Sequence, residues 1–373
     1  MVEIYWYIVA AVIILGFFMP QQGEKRKCYV VTMAVIHIFV CGFRYQYLTG
    51  DLQTYHNIYV TLPQYGWLSD EVLHEGRNTG FYMFMKSIAT LTNGNYQAFL
   101  FIVALIIGVA VALLIYKYSP RPWLSYLIWN CVGFYIFGFS AVKQALSMAF
   151  IVFAMICILE SKVKYFILSV LIAGFIHAPA FAFLPAYWLA KRRVNTRTIG
   201  MYIIASGIIF AFRDQIVVFV SRYYYEESTM ELLQFGTEGI GGRFFLIVLI
   251  LICGILLKGF REKEFESLFH IIVVSAILQM FSVYNNVFTR LADYYFQFAV
   301  LFIPLIFYQG LHLERENKNY MQVVFPFNER SIGLLVVILT VGMLWYYQYT
   351  CLGTTIANPV DDYLNFRFMW SVG

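Results

Sequence analysis

Apolar runs of about 15 to 20 residues recur along this chain, separated by short polar turns, and each is the length that an α-helix needs to cross a bilayer. Of the 373 residues, 61% are hydrophobic and only 13% are charged. Soluble domains do not have this composition. The chain is therefore predicted to be an all-α polytopic membrane protein, with residues 1–373 forming a single integral membrane domain.

The apolar runs predict about twelve transmembrane helices, with the short basic loops on the cytoplasmic side of the membrane and the other polar loops on the outer side. The expected spans cover residues 4–19, 28–43, 96–116, 123–139, 141–159, two half-length helices within 165–190, 198–212, 244–257, 268–283, 291–309 and 332–349. Residues 80–91 are apolar but short and predict an interfacial or re-entrant helix. The outer side then carries the loops 44–95 and 213–242 and the C-terminal tail 351–373.

A broken helical hairpin is expected within residues 165–190. Lys162 and Lys164 precede this stretch, and Lys191, Arg192 and Arg193 follow it. One long kinked helix would put one basic group outside, whereas two half-length helices that turn near residues 177–179 keep both groups inside. Such a turn would lie below the outer surface, which is tolerated where it lines a wet cavity or is buried in protein. The sequence thus predicts an outer-face cavity.

Three cations are expected at the outer, N-terminal ends of helices that run inward: Lys143, Arg243 and Arg290. A helix dipole disfavours cations at that end. Three in this position suggest a shared anion, and a phosphate or diphosphate fits because helix N-termini offer amide donors and arginine binds phosphate through two donors. The competing interpretation is that each cation extends to the lipid head groups.

Two residues are candidates for a general base. His177 stands at the predicted hairpin turn, and a neutral imidazole there could accept a proton from a hydroxyl. Asp51 lies just beyond the second span, near Arg44, Tyr45 and Tyr55, a mixture of charge and aromatic rings that suits a sugar. The simpler alternatives are a buried structural histidine and an aromatic belt at the membrane surface.

The sequence predicts no metal site and no cofactor. Its six cysteines are scattered without a CxxC pattern, and the pair Asp361 and Asp362 lacks a third ligand. The net charge of +5 comes from short loops between spans. This distribution reflects membrane topology and does not predict nucleic-acid binding.

Four short motifs together resemble the EpsG family of exopolysaccharide polymerases, which is related to the Wzy polymerases. The motifs are Arg44-Tyr45 with Gly50-Asp51 and Tyr55, Lys143-Gln144-Ala145-Leu146, Phe175-Ile176-His177-Ala178-Pro179, and Arg290-Leu291-Ala292-Asp293-Tyr294-Tyr295. Their order and spacing match across most of the chain. Two departures are a lysine at position 143, where arginine is usual, and His-Ala-Pro in place of His-Pro-Ser.

The resemblance implies a glycosyltransferase-type polymerase (EC 2.4 class) in the cytoplasmic (inner) membrane, with an active site that faces outward. Undecaprenyl-diphosphate-linked oligosaccharides from capsule, O-antigen or exopolysaccharide synthesis would be its substrates. A flippase and a chain-length regulator of the same pathway would be possible partners, besides the lipid bilayer. In this interpretation His177 or Asp51 is catalytic. The substrate-binding residues are Arg44, Tyr45, Tyr55, Lys143, Gln144, Arg243, Arg290 and Tyr294.

Three other classes of membrane protein are alternatives to a polymerase. A transporter would explain a broken helix, but it predicts inverted repeats, which the sequence does not show. A glycan ligase would use the same outer-face cations, and the sequence does not separate it from a polymerase. A membrane O-acyltransferase would need a cytoplasmic route for its acyl donor, whereas the inner loops are short.

Overall fold

The protein is helical throughout the part of the chain that the structure, a computed structural model, describes. That part comprises residues 3–73, 78–224, 242–256, 263–284, 286–316, 342 and 367–370. Extended backbone pairs across these residues only at one isolated antiparallel bridge, between Arg44 and Phe368. The all-α prediction is confirmed. The chain divides into two compact units, Met1–Phe181 with Leu311–Gly373, and Ala182–Gly310, and each is described by itself.

The helices overlap most of the predicted apolar runs in the described residues, but the run at 291–309 is divided between a helix that ends at Phe296 and one that begins at Ala299. The first ten are α1 Glu3–Phe18, α2 Arg26–Gly42, α3 Gly50–Thr61, α4 Asp70–Leu73, α5 Thr79–Leu91, α6 Tyr96–Tyr118, α7 Pro122–Cys131, α8 Phe134–Phe137, α9 Val142–Leu159 and α10 Val163–Ile176. The next seven are α11 Ala186–Leu189, α12 Thr196–Ala211, α13 Arg213–Tyr224, α14 Gly242–Leu256, α15 Lys263–Gln279, α16 Asn286–Phe296 and α17 Ala299–Glu316. Short 3-10 helices cover Leu62–Gln64, Ala178–Phe183 and Met280–Val283.

Three helices in the described residues are long and apolar enough to cross a membrane: Tyr96–Tyr118, Val142–Leu159 and Lys263–Val283. Two bent pairs raise the number to five if each is one span: Thr196–Ala211 with Arg213–Phe219, bent by 68°, and Val287–Phe296 with Ala299–Tyr308, bent by 45°. Other apolar helices have 10–17 residues. Length and composition therefore do not confirm the expected count of about twelve spans, and the span predicted at 332–349 lies outside the described residues.

The span predicted over residues 123–139 is not one helix, which corrects the sequence interpretation. Helix α7 ends at Cys131, and Gly133 adopts a positive φ of 87°. That left-handed conformation is available to glycine at little cost and ends the helical repeat. The four-residue helix α8 follows. The uninterrupted apolar composition hid this break.

The predicted outer loop 44–95 is itself folded into helices. Helix α5 confirms the short helix expected at 80–91, and its 13 residues are too few to cross a bilayer. Helix α3 was not predicted. Its start does carry a local signal, because the Thr49 side chain accepts a hydrogen bond from Leu52 N at 3.4 Å and Asp51 lies in the first turn.

Helices α9 and α10 form an antiparallel pair whose register is set by one hydrogen bond. Ser147 Oγ on α9 donates to Ala173 O on α10 at 2.8 Å. Four residues separate Lys143 from Ser147 and Ala173 from His177, which is about one helical turn in each case. Lys143 and His177 therefore lie at the same end of the pair, as the sequence predicted.

The opposite end of this helix pair carries an ion-pair cluster. The Glu160 carboxylate bonds to Lys117 at the end of α6 and to Lys162 Nζ at 2.7 Å. The two lysine ammonium groups lower the pKa of Glu160 to about 2. Lys162 was predicted to lie on the inner side of the membrane, and the cluster joins the ends of α6 and α9 at one end of the first unit.

Candidate functional site

The regular helical backbone is interrupted at His177. Helix α10 ends there because His177 adopts an extended conformation, with φ −148° and ψ 105°. Ala180 N then donates to His177 O at 3.0 Å. The Phe181 ring returns onto Gly174 so closely that a Cβ atom at position 174 would lie 2.4 Å from it. The predicted break at His177 is confirmed.

The segment that follows the turn is a 3-10 helix, Ala178–Phe183, and then the four-residue helix α11. Two comparable half-length α-helices were expected here. Pro179 and Pro185 explain the difference, because a proline lacks the amide donor that a continuing α-helix requires. The half-buried His177 side chain lies at the junction between the regular helix α10 and this irregular segment.

Lys143 lies in the first turn of α9, an 18-residue helix. The residue that precedes the helix, Ala141, provides no side-chain cap. The amide groups of this turn and the helix dipole make it a favourable place for an anion. Lys143 is half-buried, whereas the neighbouring Gln144 is buried.

Helices α5 and α3 pack against the end of α10 that carries His177. A Cβ atom at Gly80 on α5 would lie 2.4 Å from the Phe175 ring. The next residue, Phe81, contacts the Tyr55 ring of α3 edge-on, with centroids 5.2 Å apart. These contacts form a continuous series from Tyr55 to the His177 turn. Asp51 lies one turn before Tyr55 and is exposed.

Arg44 is fully buried in the first unit. Its Nη1 donates to the carbonyl oxygen of Cys41, and its Cζ lies 5.9 Å from the centroid of the Phe139 ring. The Nε and Nη2 atoms are buried and have no hydrogen-bond partner among the described residues. No carboxylate in the described part of the chain forms an ion pair with this guanidinium group.

The backbone around Arg44 is held from two directions. Tyr45 N donates to Arg367 O at 2.7 Å, and Met369 N donates to Phe43 O at 3.0 Å. The side chain of Gln97 donates to Gly42 O at 2.6 Å and to Arg44 O at 3.2 Å. The C-terminal tail and the loop after α2, both predicted outside, are thus in direct contact.

In the second unit, Arg243 at the start of α14 donates to the carboxylate of Asp293. Its Cζ also lies 4.9 Å from the centroid of the Phe296 ring. Arg290 is exposed on α16, whereas Tyr294 is fully buried. The roles predicted for Arg243, Arg290 and Tyr294 in binding substrate stay predictions.

Three residues important for this geometry were given no role by the sequence. Gly80 permits the close approach of α5 to α10, and a glycine inside an apolar helix is the only local signal of it. Asp293 belongs to the motif that begins at Arg290, but the sequence did not identify it as the partner of Arg243. Gln97 supports Arg44 from 53 residues away, and nothing local reveals that.

Two histidines outside the motifs are structural. His37 Nδ1 donates to Met33 O at 2.7 Å, while its Nε2 accepts from Asn130 Nδ2 at 2.9 Å. His270 Nε2 lies 2.9 Å from Arg192 O, and its Nδ1 lies 2.7 Å from the Tyr202 hydroxyl. Both ring nitrogens are used in each case, so neither ring is available for chemistry.

In the part of the chain that the structure describes, no three His, Cys, Asp or Glu side chains are grouped so that they could hold a metal ion. No curated protein and no solved structure matches the chain. A model of the EpsG family matches residues 27–349, which is most of the chain and includes the four motifs around residues 44, 143, 177 and 290. The chain therefore belongs to the EpsG family.

Proposed function

We propose that this protein polymerises lipid-diphosphate-linked oligosaccharide repeat units on the outer face of the cytoplasmic membrane. The observation that carries the proposal is the EpsG family match over residues 27–349. Membership of this family implies an exopolysaccharide polymerase-type function. The identity of the substrate, the side of the membrane and the mechanism are the parts proposed here.

The proposed reaction is a glycosyl transfer between two lipid-linked chains. A hydroxyl oxygen of the acceptor attacks the anomeric carbon of the donor and forms the new glycosidic bond. The bond from that carbon to the diphosphate oxygen breaks, and undecaprenyl diphosphate leaves with the electron pair. The proton of the acceptor passes to His177 or Asp51.

The end of the α9–α10 pair offers two of the groups that this reaction needs. Negative charge develops on the leaving diphosphate, and Lys143 with the N-terminal turn of α9 would stabilise it without a metal ion. His177 lies at the same end, through the register that Ser147 and Ala173 set, and would accept the proton. Arg243 and Arg290 are assigned to the diphosphate by the sequence alone.

The acceptor and donor sugars would meet the aromatic and polar side chains after α2. Tyr45 is half-buried with its ring 5.5 Å from that of Tyr47, and Tyr55 reaches the His177 turn through Phe81 and α5. Aromatic rings of this kind suit the apolar faces of sugars. The apolar helices would accommodate the polyprenyl tails.

A transporter for a glycan or a lipid-linked precursor is the second candidate, and the helix break at His177 is the observation that favours it. A glycan ligase would use the same site as the polymerase. Polymerisation and transport can be distinguished by the form of the glycan that accumulates when the site is inactivated.

The decisive experiment measures the chain length of surface glycan in a strain that carries His177→Ala. If His177 is the base, the rate of transfer falls roughly 10²–10⁴-fold, and the glycan collapses to single repeat units. His56→Ala is a matched control, because His56 is also half-buried and has no assigned role. Membrane levels of both variants are compared with those of the wild type.

The other outcomes are equally informative. Full-length polymer in the His177→Ala strain removes His177 from the chemistry and leaves Asp51 as the base. Loss of all surface glycan, with lipid-linked units trapped inside, would overturn polymerisation in favour of transport.

A further inference from the structure

Arg44 is a buried cation that forms no ion pair with a carboxylate of the described residues. Its side chain is fully buried, and its Nη1 donates a hydrogen bond to the carbonyl oxygen of Cys41. The other two nitrogens, Nε and Nη2, are buried without a partner. Burying a charge is costly unless it is paired and hydrogen-bonded, so this arrangement is incomplete as it stands.

The two unsatisfied nitrogens form one edge of the guanidinium plane. Nε–H and an N–H of Nη2 point in nearly parallel directions, and this pair of donors matches the two oxygens of a carboxylate or phosphate. A neutral sugar hydroxyl would satisfy one donor and leave the charge unpaired. This pair of unsatisfied donors therefore suits an oxyanion better than a hydroxyl.

The surroundings hold this edge in a fixed orientation. The side chain of Gln97 and the amide of Met369 donate hydrogen bonds to the backbone of residues 42–44, and Tyr45 N donates to Arg367 O, so this backbone is anchored. The Phe139 ring and Cys41 contact the guanidinium group itself. A preorganised and desolvated donor pair loses little entropy when it binds, and its interaction with an anion is not weakened by water.

The residues that contact Arg44 also connect it to the proposed site. Phe139, against which the guanidinium group lies, is four residues before Lys143 and precedes the N-terminal turn of α9. That turn is the second feature of the first unit that favours negative charge. Arg44 and the start of α9 thus belong to one part of the molecule.

We propose that the Nε/Nη2 edge of Arg44 binds an oxyanion of the substrate, either a phosphate of the diphosphate linkage or a carboxylate of an acidic sugar. This assigns Arg44 to an anion and not to the neutral sugar surface predicted from the sequence. The identity of the carrier, a lipid-linked glycan, rests on the proposed function. The guanidinium edge itself rests on the geometry alone.

The test measures binding of three small probes to the purified full-length protein in detergent. The probes are inorganic pyrophosphate, glucuronate and, as the neutral control, glucose, at a fixed ionic strength maintained with sodium chloride. Binding is followed as a rise in the thermal midpoint with probe concentration. The proposal requires that pyrophosphate or glucuronate raises the midpoint of the wild type and that glucose does not.

Arg44→Lys then separates the two-donor edge from the charge. Lysine keeps the positive charge but lacks the planar pair of donors, so the apparent affinity for the oxyanion should fall at least about tenfold. Arg26→Lys is the matched control, because Arg26 also donates to a backbone carbonyl, Ser119 O at 3.3 Å, and lies over an aromatic ring. The affinity of the Arg26→Lys variant for the oxyanion should equal that of the wild type.

Each result has a defined meaning. A stronger response to pyrophosphate identifies the diphosphate as the source of the anion, and a stronger response to glucuronate identifies an acidic sugar. No response of the wild type to either oxyanion overturns the proposal, even if Arg44→Lys fails to fold. Equal affinity of Arg44→Lys and the wild type also overturns it.

Failure of this inference is distinguishable from failure of the proposed function. The probes bind to purified protein without any polymerisation. A strain that lacks the protein and still makes full-length glycan would overturn the function and leave the binding result intact. Conversely, polymerisation that is lost in His177→Ala supports the function whatever Arg44 binds.

Discussion

Arg44 in the first unit and Arg243 in the second both lie beside an aromatic ring, but only Arg243 has a carboxylate partner among the described residues. Arg243 pairs with Asp293, whose side chain is 8% exposed. Arg44 is more deeply buried and has one carbonyl oxygen as its partner. The charge of a buried cation that pairs with a carboxylate is neutralised within the protein. A buried cation that has no such counter-charge needs an anion from elsewhere.

This difference separates two of the cations to which the sequence interpretation gave a role in binding substrate. The charge on Arg243 is already balanced by Asp293, so the pair carries no net charge to attract a diphosphate. Arg44, in the first unit, forms no such ion pair with a carboxylate of the described residues. We therefore expect the first unit to contribute more to anion binding than the second.

The largest expected effect is on stability and comes from Arg243→Met. This change leaves the Asp293 carboxylate buried without its partner, which should lower the free energy of unfolding by about 3–5 kcal/mol. Thermal or denaturant unfolding of the purified protein measures it. The double variant Arg243→Met/Asp293→Leu should recover most of the loss, because it removes both charges. An unchanged stability of Arg243→Met would show that the pair is not structural.

A second comparison uses two glycines, one in each unit. Gly80→Ala places a Cβ atom 2.4 Å from the Phe175 ring, while Gly254→Ala places one 3.0 Å from the Phe302 ring. Both should destabilise, Gly80→Ala by about 1–3 kcal/mol and Gly254→Ala by less. Only Gly80→Ala displaces the residues next to the His177 turn. At matched membrane levels it should therefore shorten the glycan, and Gly254→Ala should not.

If Gly80→Ala and Gly254→Ala shortened the glycan equally, the expectation that only the first unit carries the site would be wrong. Glycan chain length and folded yield have to be measured in the same membranes, so that a loss of protein is not read as a loss of activity. Gly200→Ala is a control for the substitution itself, since nothing lies within 4 Å of a Cβ atom there.

A smaller effect is expected from Arg44→Met in the absence of an added oxyanion. The variant loses the hydrogen bond to Cys41 O, which costs about 1 kcal/mol. It also removes an unbalanced buried charge, which offsets that loss. The free energy of unfolding should thus change by no more than about 1 kcal/mol. A loss as large as that of Arg243→Met would mean that Arg44 has a counter-charge of its own within the protein.

The sequence predicted most of the helices and the helix break at His177 because these depend on local patterns. Apolar runs between basic loops mark α6, α9 and α15, and His177 followed by Pro179 marks the turn. The common end of Lys143 and His177 also followed from counting residues across two adjacent helices. The break at Gly133 was missed, since a single glycine in an apolar run has several interpretations.

The sequence could not predict which cations are balanced. Arg44, Arg243 and Arg290 look alike as residue types at the ends of predicted spans. Their difference depends on contacts between distant residues, such as Arg243 with Asp293, which are 50 positions apart. Burial and charge pairing are tertiary properties, and no local pattern specifies them.

The smallest expected effect on stability comes from the ion-pair cluster of Glu160, whose two lysines are exposed. It tests whether burial explains why some ion pairs stabilise the fold more than others. Lys117 and Lys162 lower the pKa of Glu160 from its ordinary value of 4.5 to about 2. A lowered pKa in the folded state contributes stability above the unfolded pKa, and this contribution is lost as the pH falls from about 4.5 towards 2.

Because solvent screens this cluster, Glu160→Gln should lower the thermal midpoint at about pH 7 by no more than about 2 °C. The difference from the wild type should shrink at about pH 3, where the wild-type carboxylate begins to lose its advantage. Thermal unfolding of both proteins at the two pH values measures it. If Glu160→Gln cost as much as Arg243→Met, burial would not explain the strength of the Arg243–Asp293 pair. The inference that the unbalanced Arg44 needs an outside anion would then lose its physical basis.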